Sequence, residues 1–104
     1  MRRGEVWWAE LDPPAGRRPV VLLSRNRVYQ VRAAVTVAAI TRTVRGIPTE
    51  VPLGPDDGMP SSCVINADDI VTIRKSLLLD PITTLSPDKM NAVAVAVKFA
   101  LDLP

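Results

Sequence analysis

The chain contains no histidine and a single cysteine, Cys63, and that shortage decides which reactions its side chains can run. Without imidazole the Ser-His and Cys-His hydrolases are excluded, and so is RNA cleavage by a histidine pair. One thiol leaves zinc without a ligand set. One cysteine also excludes an internal disulfide and fits a reducing compartment. Chemistry must therefore run on Arg, Lys, Asp, Glu, Ser, Thr, Tyr or the lone Cys. No base accompanies Cys63, so it reads as a small buried hydrophobe rather than a nucleophile. The neighbours Asp68 and Asp69 would point to opposite faces of a strand, which disfavours a hard-metal site, and they suit a solvated turn equally well.

Arginine is the abundant reactive group, and it is unevenly placed. Residues 1–45 hold nine arginines and no lysine against Glu5, Glu10 and Asp12, a balance of +6. Residues 46–104 hold four basic and eight acidic residues, a balance of −4. Guanidinium is the side chain suited to bidentate phosphate contacts, so an arginine-heavy half favours a polyanionic partner. A solvated cationic face is the plain alternative. Trp7 and Trp8 are adjacent, so in a strand one faces the core and the other the opposite side, where it could stack a base; packing in a core or a dimer is the plainer fate for both.

The elements that must position these groups are mostly strands. At 104 residues, 47% of them hydrophobic, the chain reads as one domain, 1–104, with a modest core. The longest apolar runs, Val20–Leu23 and Ala92–Val97, are far too short to span a membrane. Arg2 and Arg3 superficially suggest a signal peptide, but Glu5 and Glu10 interrupt any apolar segment behind them, and a cytoplasmic globular domain is expected. Short apolar runs alternating with turn clusters predict strands at Val6–Leu11, Pro19–Ser24, Ala33–Thr41, Thr49–Leu53, Cys63–Asn66 and Ile70–Ile73. Four consecutive large aliphatics in Pro19–Ser24 suit a strand covered on both faces, and Pro52 places Thr49–Leu53 at an edge. The C-terminal segment fits two periods: Val93, Val95 and Val97 alternate with alanine, yet Met90, Val93, Val97 and Leu101 line one helical face. Ser86-Pro87-Asp88 is a helix start, although Lys89 leaves the capping box incomplete, so a helix is expected. Its nearly all-round apolar surface calls for cover by the sheet or by a second subunit. The fold class is mainly β, a small curved antiparallel sheet or open barrel with one C-terminal helix.

The chain resembles the MazF/PemK toxins at Arg3-Gly4-Glu5-Val6-Trp7-Trp8, Leu11-Asp12-Pro13 and Arg18-Pro19-Val20-Val21. The resemblance continues through Val37-Ala38-Ala39-Ile40-Thr41, Asp69-Ile70-Val71-Thr72-Ile73 and Leu85-Ser86-Pro87, with all blocks in order. It implies a CcdB/PemK-like (SH3-like) barrel, a homodimer, and sequence-selective cleavage of single-stranded RNA that leaves a 2′,3′-cyclic phosphate and a 5′-hydroxyl. It also implies a cognate antitoxin that fills the RNA groove with an acidic, partly disordered segment. No metal and no other cofactor is expected. Two departures stand out: the loop Pro13–Arg17 is short and lacks the family's Gly-Ser-Glu-Gln stretch, and Ser61-Ser62-Cys63 replaces the more usual Arg-Asp-Ser.

Cleavage of this kind needs no metal, because the nucleophile is the RNA's own 2′-hydroxyl and the protein has to align it and stabilise charge on the phosphorane-like transition state. The resemblance makes Arg18 the catalytic arginine, with Pro19 restricting its backbone. Thr41 is the matching catalytic threonine, a poor base suited to hydrogen-bonding the phosphate or orienting the 2′-hydroxyl. Arg17, Asn66 and Asp68 are the expected substrate contacts. Two alternatives stay open: a CcdB-like, non-enzymatic toxin that binds a topoisomerase through its terminal helix, and an inactive RNA-binding or antitoxin-decoy module.

Overall fold

The computed structural model describes residues 1–104. Six strands form one antiparallel sheet: β1 Glu5–Glu10, β2 Arg17–Leu22, β3 Ala34–Thr41, β4 Glu50–Leu53, β5 Cys63–Arg74 and β6 Leu78–Thr84. Their spatial order is β4-β5-β3-β2-β1-β6. A helical turn, α1 Val28–Val31, lies between β2 and β3, and the helix α2 Pro87–Leu101 follows β6. No helix is long and apolar enough to cross a membrane.

The sheet is a curved half-barrel with hydrophobic residues on both faces. In β2, Val21 belongs to one core cluster and Val20 and Leu22 to the other, and none of the three is exposed. That is how four consecutive aliphatics are accommodated: alternation sends successive side chains to opposite covered faces. One face carries Val6, Val21, Ala38, Ile40 and Ile65 beneath α2. The other carries Val20, Leu22, Val35, Val37 and Ile73 beneath α1, with Trp7 packed alongside. Within α1, the Tyr29 hydroxyl donates to the Ser24 carbonyl at 3.0 Å, and burial pushes its pKa up to about 12.

Three elements differ from the sequence expectation. Cys63–Asn66 and Ile70–Ile73 are one strand, not two. Ala38 pairs with Ile70 and the next residue, Ala39, pairs with Asn66, so Ala67, Asp68 and Asp69 form a bulge inside β5. An acidic pair between two apolar runs looks like a turn, but a bulge leaves the same signature while keeping the chain in the ladder. Strand β6 has no counterpart in the sequence expectation, and Asp80-Pro81 interrupts its apolar residues. It lies at an edge, where a missing N–H is tolerated, and its register against β1 shifts twice. The α1 turn is too short to leave a periodic pattern.

The other expectations of element type hold. Strand β4 is the opposite edge. The C-terminal segment is helical: the Ser86 side chain accepts the Lys89 N–H at 3.1 Å, and Pro87 opens the first turn. Lys89, which cannot complete a capping box, instead ties the helix to the sheet through its Nζ, which donates to the Pro52 carbonyl at 2.6 Å. Only Val93 and Ala96 of the helix are fully buried; Val95 and Phe99 are 68% and 61% exposed. Leu101, expected on the covered face, is also exposed.

Candidate active site

Strand pairing brings the two principal candidates together. β2 and β3 pair Val20 with Ala39 in antiparallel register. Two residues beyond that pair, past the end of the ladder, Arg18 and Thr41 line the same cavities, and alternation places both on the face of Val20 and Ala39. Pro19 sits between them in sequence without harm, because the β2–β3 ladder begins only at Val20. The row continues across the sheet, since Ala39 pairs with Asn66 and Asn66 with Glu50. Arg18, Thr41, Asn66 and Glu50 therefore share one face at the end of the half-barrel.

The polar geometry leaves the pair open toward a ligand. The Arg18 guanidinium enters none of the chain's ion pairs. The Thr41 Oγ1 accepts the Thr43 N–H at 3.2 Å. With that lone pair engaged, the hydroxyl proton is free to be donated outward.

Two cavities meet at Arg18 and Thr41. The first, about 410 Å³, is lined by Trp8, Arg17, Arg18 and Arg42, with Ser61 and Cys63 on its far wall. Arg17 lies over the Trp8 ring, 5.3 Å from its centroid, a cation–π arrangement. It also stands 3.9 Å from Asp80, a pair too exposed to restrain it much. The second cavity, about 170 Å³, is lined by Arg18, Thr41, Arg45, Glu50, Asn66 and Asp69. Through Ala39 and Asp69 it opens into a larger, mainly apolar hollow of about 480 Å³ over Val20, Val71 and Ile73. The short loop between β1 and β2, closed by the Leu11 N–H donating to the Gly16 carbonyl at 2.9 Å, borders that hollow through Leu11, Asp12 and Ala15.

The structure thus brings Arg18, Thr41, Arg17 and Asn66 to the cavities and holds Asp68 apart. The Asp68 carboxylate accepts the Thr49 hydroxyl at 2.7 Å, and its N–H donates to Asn66 Oδ1 at 3.0 Å. Asp68 thereby shapes the bulge, and Asp69 is the carboxylate that faces the cavity. Of the tryptophans, Trp8 reaches the first cavity, while Trp7 packs on the α1 face with its Nε1 donating to Glu5 at 2.9 Å. No three carboxylate or thiol side chains gather in a cluster that would hold a metal ion. Cys63 is buried, and burial pushes its thiol pKa up, with Asp57 adding to the shift and Arg42 opposing it. The cavities also gather Asp69, Glu50, Arg42 and Arg45, none of which the sequence singles out as a candidate contact. For the two arginines the signal was present, immediately after Thr41 in the basic half. For Asp69 and Glu50 it was not, because their positions depend on the bulge and on cross-strand pairing.

A cationic strand-end site on a curved six-stranded sheet with one terminal helix is the architecture of a small toxin family. Residues 2–101 match the model of the "PemK-like, MazF-like toxin of type II toxin-antitoxin system", and the chain belongs to that family. It is 42% identical over 92 residues to a Mycobacterium tuberculosis protein named "Probable endoribonuclease MazF2", covering 88% of each chain. Its fold is similar to that of the Mycobacterium tuberculosis toxin MazF-mt6, with a TM-score of 0.89 at 37% identity over 96% of this chain and 98% of that one. It is also similar to a mycobacterial endoribonuclease solved in complex with its cognate antitoxin, with a TM-score of 0.88 at 36% identity over 100% of this chain and 97% of that one.

Proposed function

We propose that this endoribonuclease toxin cuts single-stranded RNA at the Arg18–Thr41 pair, using the RNA's own 2′-hydroxyl as nucleophile and no metal ion. The 2′ oxygen attacks phosphorus, the bond to the 5′ oxygen breaks, and the products are a 2′,3′-cyclic phosphate and a 5′-hydroxyl. Arg18 stabilises the charge that grows on the non-bridging oxygens, and the Thr41 hydroxyl donates to the same phosphate. Asp69, the cavity carboxylate without an internal hydrogen-bond partner, takes the proton leaving the 2′-hydroxyl, and a proton from solvent water completes the departing 5′-hydroxyl. Arg17 and Asn66 hold the flanking nucleotides, while Asp68 acts at one remove by fixing the bulge. The observation that carries this reading is the juxtaposition, between two cavities, of an internally unpaired arginine and a threonine whose hydroxyl donates to no group of the chain.

The working form is a cytoplasmic homodimer held in check by an antitoxin. The relative solved with its cognate antitoxin supports the second partner. Support for the dimer comes from α2, whose exposed Val95 and Phe99 leave an apolar surface uncovered. The same face is what a CcdB-like topoisomerase poison would use, and that reading needs neither Arg18 nor Thr41.

Incubation of the purified protein with a long mixed RNA in excess EDTA separates these readings. Discrete cleavage with cyclic-phosphate ends is expected. Strict dependence on added divalent metal would sink the proposed mechanism, and intact RNA alongside inhibition of a topoisomerase would favour the alternative.

A further inference from the structure

The loop leaving Thr41 supplies both cavities, yet little within it holds it in place. Residues 42–48 are all exposed and form no strand or helix. They nevertheless bring Arg42 to the first cavity, Arg45 to the second, and Thr43 to both. The N–H that engages the Thr41 hydroxyl oxygen also belongs to this loop, at Thr43. A segment with so little burial has no packing energy with which to select one conformation.

The restraint comes from Glu50, the first residue of β4. Its Oε1 accepts the Arg45 N–H at 2.9 Å and the Gly46 N–H at 2.8 Å, and its Oε2 accepts the Arg45 N–H at 3.2 Å. Its own N–H donates to the Ile47 carbonyl at 3.0 Å. Gly46 adopts φ +70°, in the left-handed region, which lets two successive N–H groups converge on one carboxylate. Such a concave pair of backbone donors is an anion-binding nest, occupied here by a side chain. Strand β4 is itself fixed, because Val51 and Leu53 are buried and the strand pairs along its length with β5. Glu50 therefore ties an otherwise free loop to the sheet.

We infer that Glu50 is a positioning residue for RNA cleavage: its carboxylate, seated in the nest of the Arg45 and Gly46 N–H groups, sets the loop that aims the Thr41 hydroxyl and carries Arg42 and Arg45 to the two cavities. The inference rests on Arg18 and Thr41 being the cleavage centre. Glu50 needs no contact with the reacting atoms. Its charge and its reach both matter: Gln keeps one oxygen for the two donors but loses the charge and sets an NH2 group against the Arg45 N–H, and Asp would fall short by one methylene. A loop released by about 1 Å costs on the order of 100-fold in the chemical step.

The test compares Glu50→Ala, Glu50→Gln and Gly46→Ala with the wild type. Four quantities are measured: single-turnover cleavage at saturating enzyme, binding to an uncleavable 2′-deoxy RNA analogue, amide hydrogen exchange, and thermal unfolding. In the wild type the Arg45 and Gly46 amides should exchange slowly for so exposed a loop. In all three variants they should exchange faster while β3 and β5 stay protected. Saturated cleavage should fall by about 10- to 100-fold, with binding changed far less. Added formate, by refilling the nest, should restore part of the rate of Glu50→Ala and none of that of Gly46→Ala, whose nest is misshapen. Glu50→Ala that cleaves at the wild-type rate despite a loosened loop would overturn the inference alone. So would a folded Gly46→Ala of full activity with a rate loss in Glu50→Ala that tracks global unfolding. A wild type that cuts no RNA would overturn the inference together with the reading on which it rests.

Discussion

The two cavities that meet at Arg18 and Thr41 are made of opposite materials. The first sets three guanidinium groups, Arg17, Arg18 and Arg42, beside Trp8, and no carboxylate lines it. The second sets Arg18 and Arg45 against Glu50 and Asp69, with Asn66 between them. A wall of fixed cations attracts phosphate whatever the base attached to it. A charge-balanced pocket of donors and acceptors gains little from phosphate but can read the edge of an unstacked base. On the proposed reading, affinity and selectivity are housed on opposite sides of one cut, and the shared wall between them is where the chemistry falls.

Substitution should cost most at that shared wall. If Arg18 serves the transition state rather than either cavity, Arg18→Ala should lower saturated single-turnover cleavage by roughly 100- to 1000-fold, about 3–4 kcal/mol. Binding of the 2′-deoxy analogue should change far less. Arg18→Lys should recover little, because an ammonium cannot reproduce the forked contact of a guanidinium. Near-normal saturated cleavage by Arg18→Ala would move the centre elsewhere. Thr41→Val, which keeps the shape and removes the hydroxyl, should come next. Loss of one hydrogen bond to a charged group is worth about 1.5–3 kcal/mol, or roughly 10- to 150-fold in rate. A Thr41→Val enzyme as fast as wild type would leave the outward hydroxyl without a role.

Smaller and opposite effects on binding should tell the cavities apart. Arg42→Ala should weaken RNA binding and lower the salt dependence of the association constant by about 0.7 of a unit in slope, the loss of one single-strand phosphate contact. Asp69→Asn should do the reverse and tighten binding, by about 1 kcal/mol for a charge removed about 4 Å from a phosphate in water, or roughly fivefold. Its saturated cleavage should fall by roughly 100-fold or more, because the proposed base is lost. It should also redistribute the cleaved positions in a mixed RNA, because an acceptor becomes partly a donor. Titrations across a range of salt concentrations and sequencing of cleaved ends measure both. Equal effects of the two substitutions, in sign and in salt slope, would dissolve the distinction between the cavities.

How far this division could be seen in the sequence depends on the range of the interaction that creates each part. The first cavity was visible in outline, since Arg17, Arg18 and Trp8 all come from the basic N-terminal stretch, and local pattern alone puts them on adjacent strands. The helix was visible too, because Ser86, Pro87 and Asp88 act within one turn. The second cavity was not. Asp69 faces it because Ala38 and Ala39 pair with residues on either side of a three-residue bulge, a property of two strands far apart in sequence. Asp68, the expected contact, is drawn away by Thr49, which lies nineteen residues before it. Strand β6 was hidden for a similar reason: Pro81 disqualifies a strand by local propensity, and only its place at the sheet edge makes it acceptable.

Cys63 is the residue of the first cavity whose loss should change least. It lines the first cavity together with Arg17, Arg18 and Arg42, cations of the kind that activate a thiol when they lie beside it. Yet its pKa moves up, chiefly because the side chain is buried, with Asp57 adding to the effect and Arg42 only partly offsetting it. A thiol held above its usual range is protonated near neutral pH and is neither a nucleophile nor a base. Cys63→Ala should therefore cleave RNA within about twofold of wild type and cost only about 1 kcal/mol of stability, the common size of a small core truncation. The sign of the pH dependence is fixed as well. Because the folded thiol holds its proton longer than the unfolded one, its contribution to stability is complete below the usual thiol range and is lost as pH rises through it. The gap between wild type and Cys63→Ala in urea midpoint should accordingly narrow in alkali. Iodoacetamide should label the native protein slowly at pH 7 and the urea-unfolded protein quickly. Rapid labelling of the native protein, with cleavage lost in Cys63→Ala, would place the thiol in the chemistry and make the first cavity more than a holder of phosphate.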